Sequence, residues 1–545
     1  MSQKQAHPKG LPYLFFTEMW ERFGYYLMIG IFVLYMTDYE KGGLNMDRSQ
    51  ASDIFGTFIA LNYLTPFIGG MLADRLLGYR KSIIIGGLLM GCGYIGLSIP
   101  GNTAFFISLF LMVIGNGFFK PNISTILGNL YSTPQYKPMK DSGYSIFYMG
   151  INVGAFICNF FAAFLRNSYG WGEAFIAAGI GMFIGVLVFI LGNKHYAHAD
   201  VLKKQNKDEQ SVFTVLSKVM LPAIAIGTAS WFIPGTIFGS DSSDAFLLGS
   251  IPVIAFYASL YFKAAPDEKR PIGALLSIFA VVVVFWAVFK QNGTALTTWA
   301  QYYTNRETPV VAEKITDALK LNETVTYTKD STYLLDNQFR KLKTAEGENQ
   351  KGLSFPAYFQ NDEVSKLSEG SSKKLISTEL FQSINPFFVV TLTPLVVAFF
   401  SFLRSRKKEP STPAKICWGL FISALSTLIM VMAVYACGNG AEKAGTEWLI
   451  ASYGIVTIGE LFLSPMGLSL VSKLSPTRIT ALMMGGWSLA TSLGNKFSGI
   501  LATMWDGYDN KANFFLVNFL LLMLATGALA LMLKRLNKVF HEYGA

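Results

Sequence analysis

The segment Glu18-Met19-Trp20-Glu21-Arg22 sets two carboxylates close to one guanidinium. On a helix Glu18 and Arg22 are four apart and Glu18 and Glu21 three apart, so all three share one face. Such a trio can take up and release a proton, or hold a ligand of opposite charge. The run around it, 13–37, is otherwise apolar and long enough to cross a hydrocarbon core of ~30 Å. A charge at the bilayer centre costs roughly 2.5–3.5 kcal/mol on insertion scales, so the trio needs a wet cavity or opposite charges beside it. A second reading stands for Glu18 and Glu21, because acids near a helix start are favoured by the macrodipole.

Three more charges interrupt apolar runs. Lys120, followed by Pro121, is about ten residues, or roughly 15 Å, from the inner end of its run. Arg22 is about nine residues, or roughly 13 Å, from the same side. Glu21 and Lys120 therefore bring opposite charges to one depth, as a proton or ligand site or as a structural salt bridge. Pro121 would kink its helix and free a carbonyl, which suits a cavity better than lipid. Glu460, in Gly459-Glu460-Leu461-Phe462-Leu463-Ser464-Pro465, is near mid-span and suits a ligand amine, a proton or a buried ion pair. Lys290 lies in the outer half of its run, where it either lines a gate or snorkels to the surface. Its expected partner is a carboxylate of the first span or a carboxylate on the ligand. Tyr26, Tyr63, Tyr148, Asn152, Asn385 and Ser464 could add polar contacts, and Trp286 and Trp487 an apolar wall. Each of these alone reads more readily as packing than as site.

The chain that must position these groups has 545 residues, 52% hydrophobic and only 15% charged, with 45 Lys and Arg against 35 Asp and Glu. A soluble chain needs about 25% charged residues to wet its surface. A soluble enzyme and a disordered protein are thereby excluded, leaving an all-α polytopic membrane protein. The four cysteines (Cys92, Cys158, Cys417, Cys437) show no metal-ligand spacing. The four histidines (His7, His195, His198, His541) fall near loops or termini, so no histidine proton relay is expected.

Apolar runs against polar breaks predict fourteen helices: 13–37, 51–74, 82–100, 103–130, 142–165, 172–192, 215–238, 245–263, 272–300, 384–403, 414–437, 446–472, 479–504 and 512–533. The alternate loops 74–82, 131–141, 193–210, 263–271, 404–415 and 472–478, with the termini, hold about two dozen Lys and Arg, and the opposite loops about five, which places both termini in the cytoplasm. A six-helix bundle at 1–192, a basic linker with two extra helices at 193–271, and a second bundle at 272–545 are expected. That plan suits a transporter with its site between the halves near mid-membrane. An outer insertion, 301–380, shows a little apolar periodicity around 310–319 and 333–342, and reads either as a small helical cap or as a mobile segment.

Glu18-x-x-Glu21-Arg22-Phe23-x-Tyr25-Tyr26 resembles the hallmark of the proton-dependent oligopeptide (peptide) transporter family. Phe147-Tyr148-x-Gly150-Ile151-Asn152-x-Gly154, Gln382-Ser383-x-Asn385-Pro386 and Gly459-Glu460-x-x-x-Ser464-Pro465 resemble its fifth-, eighth- and tenth-helix motifs. Gly70-x-x-x-Asp74-Arg75-x-x-Gly78-x-Arg80 is similar to the loop signature of the major facilitator superfamily. The resemblance implies a major facilitator fold and a bacterial inner-membrane symporter that imports di- and tripeptides with protons. It implies no enzyme activity and no cofactor beyond the proton gradient; nucleic acid is not an expected partner. It assigns proton coupling to Glu18, Glu21, Arg22 and Lys120, and the peptide carboxylate to Arg22 and Lys120. Asn152, Asn385 and Glu460 would receive the amino group, with Tyr26, Tyr63, Tyr148, Trp286, Ser464 and Trp487 lining the pocket. Family members usually carry an acid at the position of Lys290 and an Arg at that of Ile29, so the resemblance implies a rewired outer gate. A same-fold proton-coupled carrier of another small anion or zwitterion is the alternative.

Overall fold

The structure is a computed structural model and describes residues 6–201, 212–360, 368–476 and 479–543. Six helices come first: α1 (Leu11–Thr37), α2 (Arg48–Leu72), α3 (Tyr79–Gly96), α4 (Asn102–Leu130), α5 (Lys140–Ser168) and α6 (Trp171–Gly192). A short α7 (Val212–Val215) runs through a π turn into α8 (Leu221–Trp231), which pairs with α9 (Asp241–Phe262). The second half holds α10 (Pro266–Phe289), α11 (Ala295–Tyr302), α12 (Val310–Ala318), α13 (Ile384–Ser405), α14 (Thr412–Ala436), α15 (Thr446–Leu474), α16 (Thr480–Thr503) and α17 (Lys511–Tyr543). Among the described residues ten helices are long and apolar enough to cross a membrane by length and composition. α1 carries three buried charges, Glu18, Glu21 and Arg22.

The first bundle packs α1 on α5 and α6, and α3 on α4 and α6. The second packs α14 on α15 and α17, and α10 on α16 and α17. α2 lies along α16, and α5 touches α13, so these two pairs join the halves. α8 and α9 meet through Gly227 and Gly249, where a Cβ on either would press on the other helix's backbone; small residues allow such close helix contact in lipid. The termini-side ends share one face, where Arg270 meets Glu542 and Ser411 bonds Asn537. We call this the termini face and the other the insertion face.

Prolines inside the helices free carbonyls, and on α2 a polar side chain takes one up. Pro66 cannot serve the carbonyl of Asn62, and Asn116 Nδ2 on α4 donates to that oxygen at 2.6 Å; a freed carbonyl in lipid has to be satisfied inside the protein. The loop glycine Gly78 has φ +80°, a left-handed conformation that favours glycine. Beside it Asp200 accepts from the Tyr79 amide at 2.7 Å and so holds the start of α3.

Several boundaries differ from the sequence reading. The helix expected at 215–238 stops at Trp231, because Pro234 has no amide hydrogen and Gly235 takes φ +81°. α17 runs to Tyr543 rather than to 533, carried by a polar last turn in which Lys538 and Glu542 pair at i,i+4. The continuous span expected at 272–300 is broken by a single 3₁₀ turn, Lys290–Gly293, between α10 and α11. Asn292-Gly293-Thr294 is a breaker sequence, and Thr294 has φ −126°, ψ −86°. The exposed Asn292 carbonyl accepts from Gln382 Nε2 (2.6 Å) and Thr297 Oγ1 (2.9 Å).

The insertion is not an all-helical cap. Of the two periodic stretches only 310–319 forms a helix, α12. The stretch 333–342 leaves strand β2 (Asp330–Tyr333) and turns where Asp336 accepts from the amides of Gln338 and Arg340. β2 pairs antiparallel with β3 (Lys351–Ser354), and β1 (Asn322–Thr326) with β4 (Ser372–Ile376). These sheets reach across to the first bundle. Glu323 meets Lys41 (2.7 Å), Arg166 (3.6 Å) and Arg306 (3.0 Å), and Arg48 meets Asp506 (2.5 Å) and the Phe339 carbonyl (2.8 Å).

Burial alone would push the Glu323 carboxyl up, but Arg166, Arg306 and Lys41 outweigh it and hold it well below the usual carboxylate range. A depressed folded value adds stability above the unfolded value of about 4.3, lost as pH falls from there toward the folded value. Glu323→Gln should therefore cost about 3–5 kcal/mol at neutral pH, since Arg306 loses its carboxylate among the described residues while Arg166 keeps only Glu379, at 2.8 Å. Thermal unfolding at pH 7 and at pH 3 checks this: the variant should melt lower at pH 7, and the gap should shrink at pH 3. An equal gap at both would show that the cluster does not carry the stability.

Candidate functional site

The charged trio on α1 forms one cluster. Arg22 Nε lies 2.9 Å from Glu18 Oε1 and 2.6 Å from Glu21 Oε2. Glu21 is fully buried, and its oxygens make no hydrogen bond of good geometry among the described residues. One guanidinium faces two carboxylates, so a proton on either acid leaves the trio singly and evenly charged. Among the described residues the terminal nitrogens of Arg22 make no hydrogen bond and stay available to an anion. Arg22 also lies over the ring of Tyr25 at 5.6 Å.

Lys120 is placed by α4, just before Pro121, beside α2, its Nζ 4.0 Å from the Tyr63 ring centre. It pairs with no carboxylate among the described residues; Glu21 pairs with Arg22. Across the site Asn385 Nδ2, at the start of α13, donates to Thr457 Oγ1 (2.8 Å) and Glu460 Oε2 (3.2 Å), both on α15. Thr457 is one turn before Glu460, so the amide holds that carboxylate on the face turned to α13. The charges of the first half thus stand opposite an acid of the second.

Lys290 caps the broken α10 and does not run out to the surface. Its Nζ is 6.0 Å from the ring of Tyr63, 5.7 Å from that of Trp286 and 5.6 Å from that of Phe289. The expected first-span carboxylate is not its partner, because Arg22 holds both. Lys290 lines a cavity of about 50 Å³ with Tyr25, Tyr26, Ile29, Asn292, Gln382 and Asn385. The indole nitrogen of Trp286 and the hydroxyl of Ser464 are buried without a hydrogen-bond partner among the described residues. Asn152 donates to the Tyr148 carbonyl one turn earlier on α5 (2.9 Å).

Trp487 is the one expected lining residue seen mainly in packing. Its ring lies against the backbone of Gly467 and meets Phe279 edge-on at 6.3 Å. Gly467 is seven residues beyond Glu460, or roughly 10 Å along α15 toward the termini face.

The insertion side of the site is sealed. Ser383 Oγ donates to the Phe156 carbonyl (2.9 Å) and accepts from Asn159 Nδ2 (3.0 Å), joining α13 to α5. Gly56 on α2 meets Gly499 on α16 backbone to backbone. Lys496, fully buried, reaches Asp53 (2.6 Å), Thr57 (2.6 Å) and Ser242 (3.0 Å). That pair ties α2, α9 and α16 together, and the sequence reading missed it. Each charge lies toward the outer end of its expected run, 51–74 or 479–504, where it can be read as reaching water. Toward the termini face Tyr148 is 52% exposed, so the site opens on that side.

The profile of the POT family matches residues 80–310 and 365–517. The chain belongs to the POT family. A Bacillus subtilis (strain 168) protein described as the uncharacterized transporter YclF is 32% identical over 508 residues, covering 92% of this chain and 89% of that one. A di-/tripeptide transporter of Lactococcus lactis subsp. lactis (strain IL1403) is 28% identical over 523 residues, covering 94% and 92%. Among solved structures, a mutant of a peptide transporter POT in complex with alafosfalin superposes with a TM-score of 0.76 at 29% identity, covering 98% of this chain and 96% of that one. Membership of the POT family makes this a membrane transporter, with the facilitator fold expected from its motifs.

Proposed function

We propose that this chain is a proton-coupled symporter that imports di- and tripeptides across a bacterial inner membrane, with both termini in the cytoplasm. The observation that carries the reading is the placement of opposite charges on the two sides of the site: Arg22 and Lys120 on the first bundle, Glu460 on the second. A zwitterionic peptide presents one charge to each, and bridging them couples binding to movement of the halves. The names of the Lactococcus relative and of the solved POT transporter support a peptide substrate.

The working division is 1–192, 193–271 and 272–545, and the described state opens to the cytoplasm. In the cycle, the peptide carboxylate draws Arg22 and Lys120, while Asn152, Asn385 and Glu460 receive the ammonium. When Arg22 turns toward the peptide, Glu21 loses its counter-charge and takes a proton in its place. Tyr26, Tyr63, Tyr148, Trp286 and Ser464 bound the space for side chains, with Trp487 behind them. Ile29 and Lys290 stand at the outer gate.

Thermal stabilisation of the purified protein tests the substrate class. A ligand at a hundred times its Kd stabilises the folded state by about 2.7 kcal/mol. Di- and tripeptides should raise the melting temperature, whereas nitrate and free amino acids should not. Stabilisation by nitrate or free amino acids alone would refute a peptide site.

A further inference from the structure

Two ammonium groups face one tyrosine in the central site. Lys120 Nζ is 4.0 Å and Lys290 Nζ 6.0 Å from the ring centre of Tyr63. Neither pairs with a carboxylate among the described residues, and the acids nearby are engaged. Glu18 and Glu21 hold Arg22, and Glu460 accepts from Asn385. Aromatic rings stabilise a cation only modestly, far less than an ionic partner in a water-poor site. The Asn292 and Gln382 side chains that share the small cavity with Lys290 are neutral.

The charge count around the site has a consequence. Arg22, Lys120 and Lys290 balance Glu18, Glu21 and Glu460 only while all three acids are ionised. With a proton carried on one of them, the site holds one positive charge more than it can neutralise. A neutral zwitterion leaves that excess in place; a peptide with one acidic side chain cancels it. The main-chain carboxylate of such a peptide would go to Arg22 and Lys120. In a C-terminal Glu the second carboxylate lies four carbon–carbon bonds of about 1.5 Å further on, and both ammonium groups border the same ring.

We infer that Lys290 is a specificity residue that selects peptides bearing an acidic side chain, by pairing with the side-chain carboxylate in the occluded site. The inference rests on the peptide-transport reading. It gives the ammonium on the broken α10 a carboxylate in direct contact, where the protein offers only the more distant charge of Glu460. Closure of the gate over an acidic peptide would then remove an unpaired charge from the membrane interior, whereas closure over a basic peptide would add one.

The test compares binding of Ala-Ala, Ala-Glu, Ala-Gln and Ala-Lys to the purified full chain by ligand-dependent thermal shift. Ala-Glu and Ala-Gln have nearly the same shape, so their ratio isolates the charge. The wild-type protein should bind Ala-Glu about tenfold more tightly than Ala-Gln, a difference of about 1.4 kcal/mol, with Ala-Lys weakest. In Lys290→Gln the ratio should fall to about one, and in Lys290→Glu the order should reverse in favour of Ala-Lys, as a desolvated charge pair requires. Ala-Ala binding with no preference for Ala-Glu over Ala-Gln in the wild type would overturn this inference and leave peptide transport standing. A preference that survives in Lys290→Gln would also overturn it. Failure of all four peptides to bind would overturn both. The wild-type comparison alone can overturn the inference, so it stays open to refutation even where a variant does not fold.

Discussion

Glu21→Gln should abolish peptide uptake driven by a proton gradient while leaving counterflow of peptide down its own gradient. The residue is fully buried beside Arg22 and Glu18. Gln keeps the shape and can still accept from Arg22, so the binding cavity survives. It cannot exchange a proton, and a buried carboxylate that loses its counter-charge is expensive unless it is neutralised. Coupling should therefore fall to background while the exchange of loaded carriers continues. In Glu18→Gln the remaining Glu21 still trades its proton against Arg22, so gradient-driven uptake should be reduced but present. Full gradient-driven uptake in Glu21→Gln would move the proton site elsewhere.

The second large effect is expected at Glu460. Asn385 orients its carboxylate from 3.2 Å, and Thr457 orients Asn385 from 2.8 Å. An ammonium that docks there is taken out of water, and removing its partner should cost about 3–5 kcal/mol. Glu460→Gln should weaken free-amine peptides by that amount and N-acetylated peptides far less, because the latter bring no positive end. Competition assays with matched pairs such as Ala-Ala and N-acetyl-Ala-Ala measure the difference. Equal losses for the two classes would assign Glu460 to protons or to packing.

Much of the architecture was legible because lipid leaves no other way to satisfy a backbone: each crossing had to be a long apolar run, and each charge inside one stood out. Glu18, Glu21, Arg22, Lys120, Lys290 and Glu460 were visible on that ground, and the structure gathers the first three into one cluster. Their partners were not. That Glu21 holds Arg22 while Lys120 sits on Tyr63 depends on rotamers and helix rotation, to which one-dimensional spacing is blind. Asp53 and Lys496 escaped notice because each lies near a span end, where a charge can be read as reaching water; only their meeting across α2 and α16 shows otherwise. The break at Lys290–Gly293 hid inside an apolar stretch although Asn292-Gly293 announces a turn. In the insertion, Asn322–Thr326 and Ser372–Ile376 pair across a long intervening segment, and such non-local pairing leaves no local period to read. Thr457, by contrast, could have been found: it lies on the helix face of Glu460, three residues before it.

The most direct test of proton-coupled peptide transport is uptake of labelled Ala-Ala into liposomes that contain only the purified protein. With the outside acidic and the inside near neutral, the peptide should accumulate inside above its external concentration. A protonophore should return it to equilibrium, and unlabelled dipeptide, but not free alanine, should compete. Accumulation that ignores the gradient and the protonophore, or no peptide uptake by protein that still binds peptide, would contradict the account.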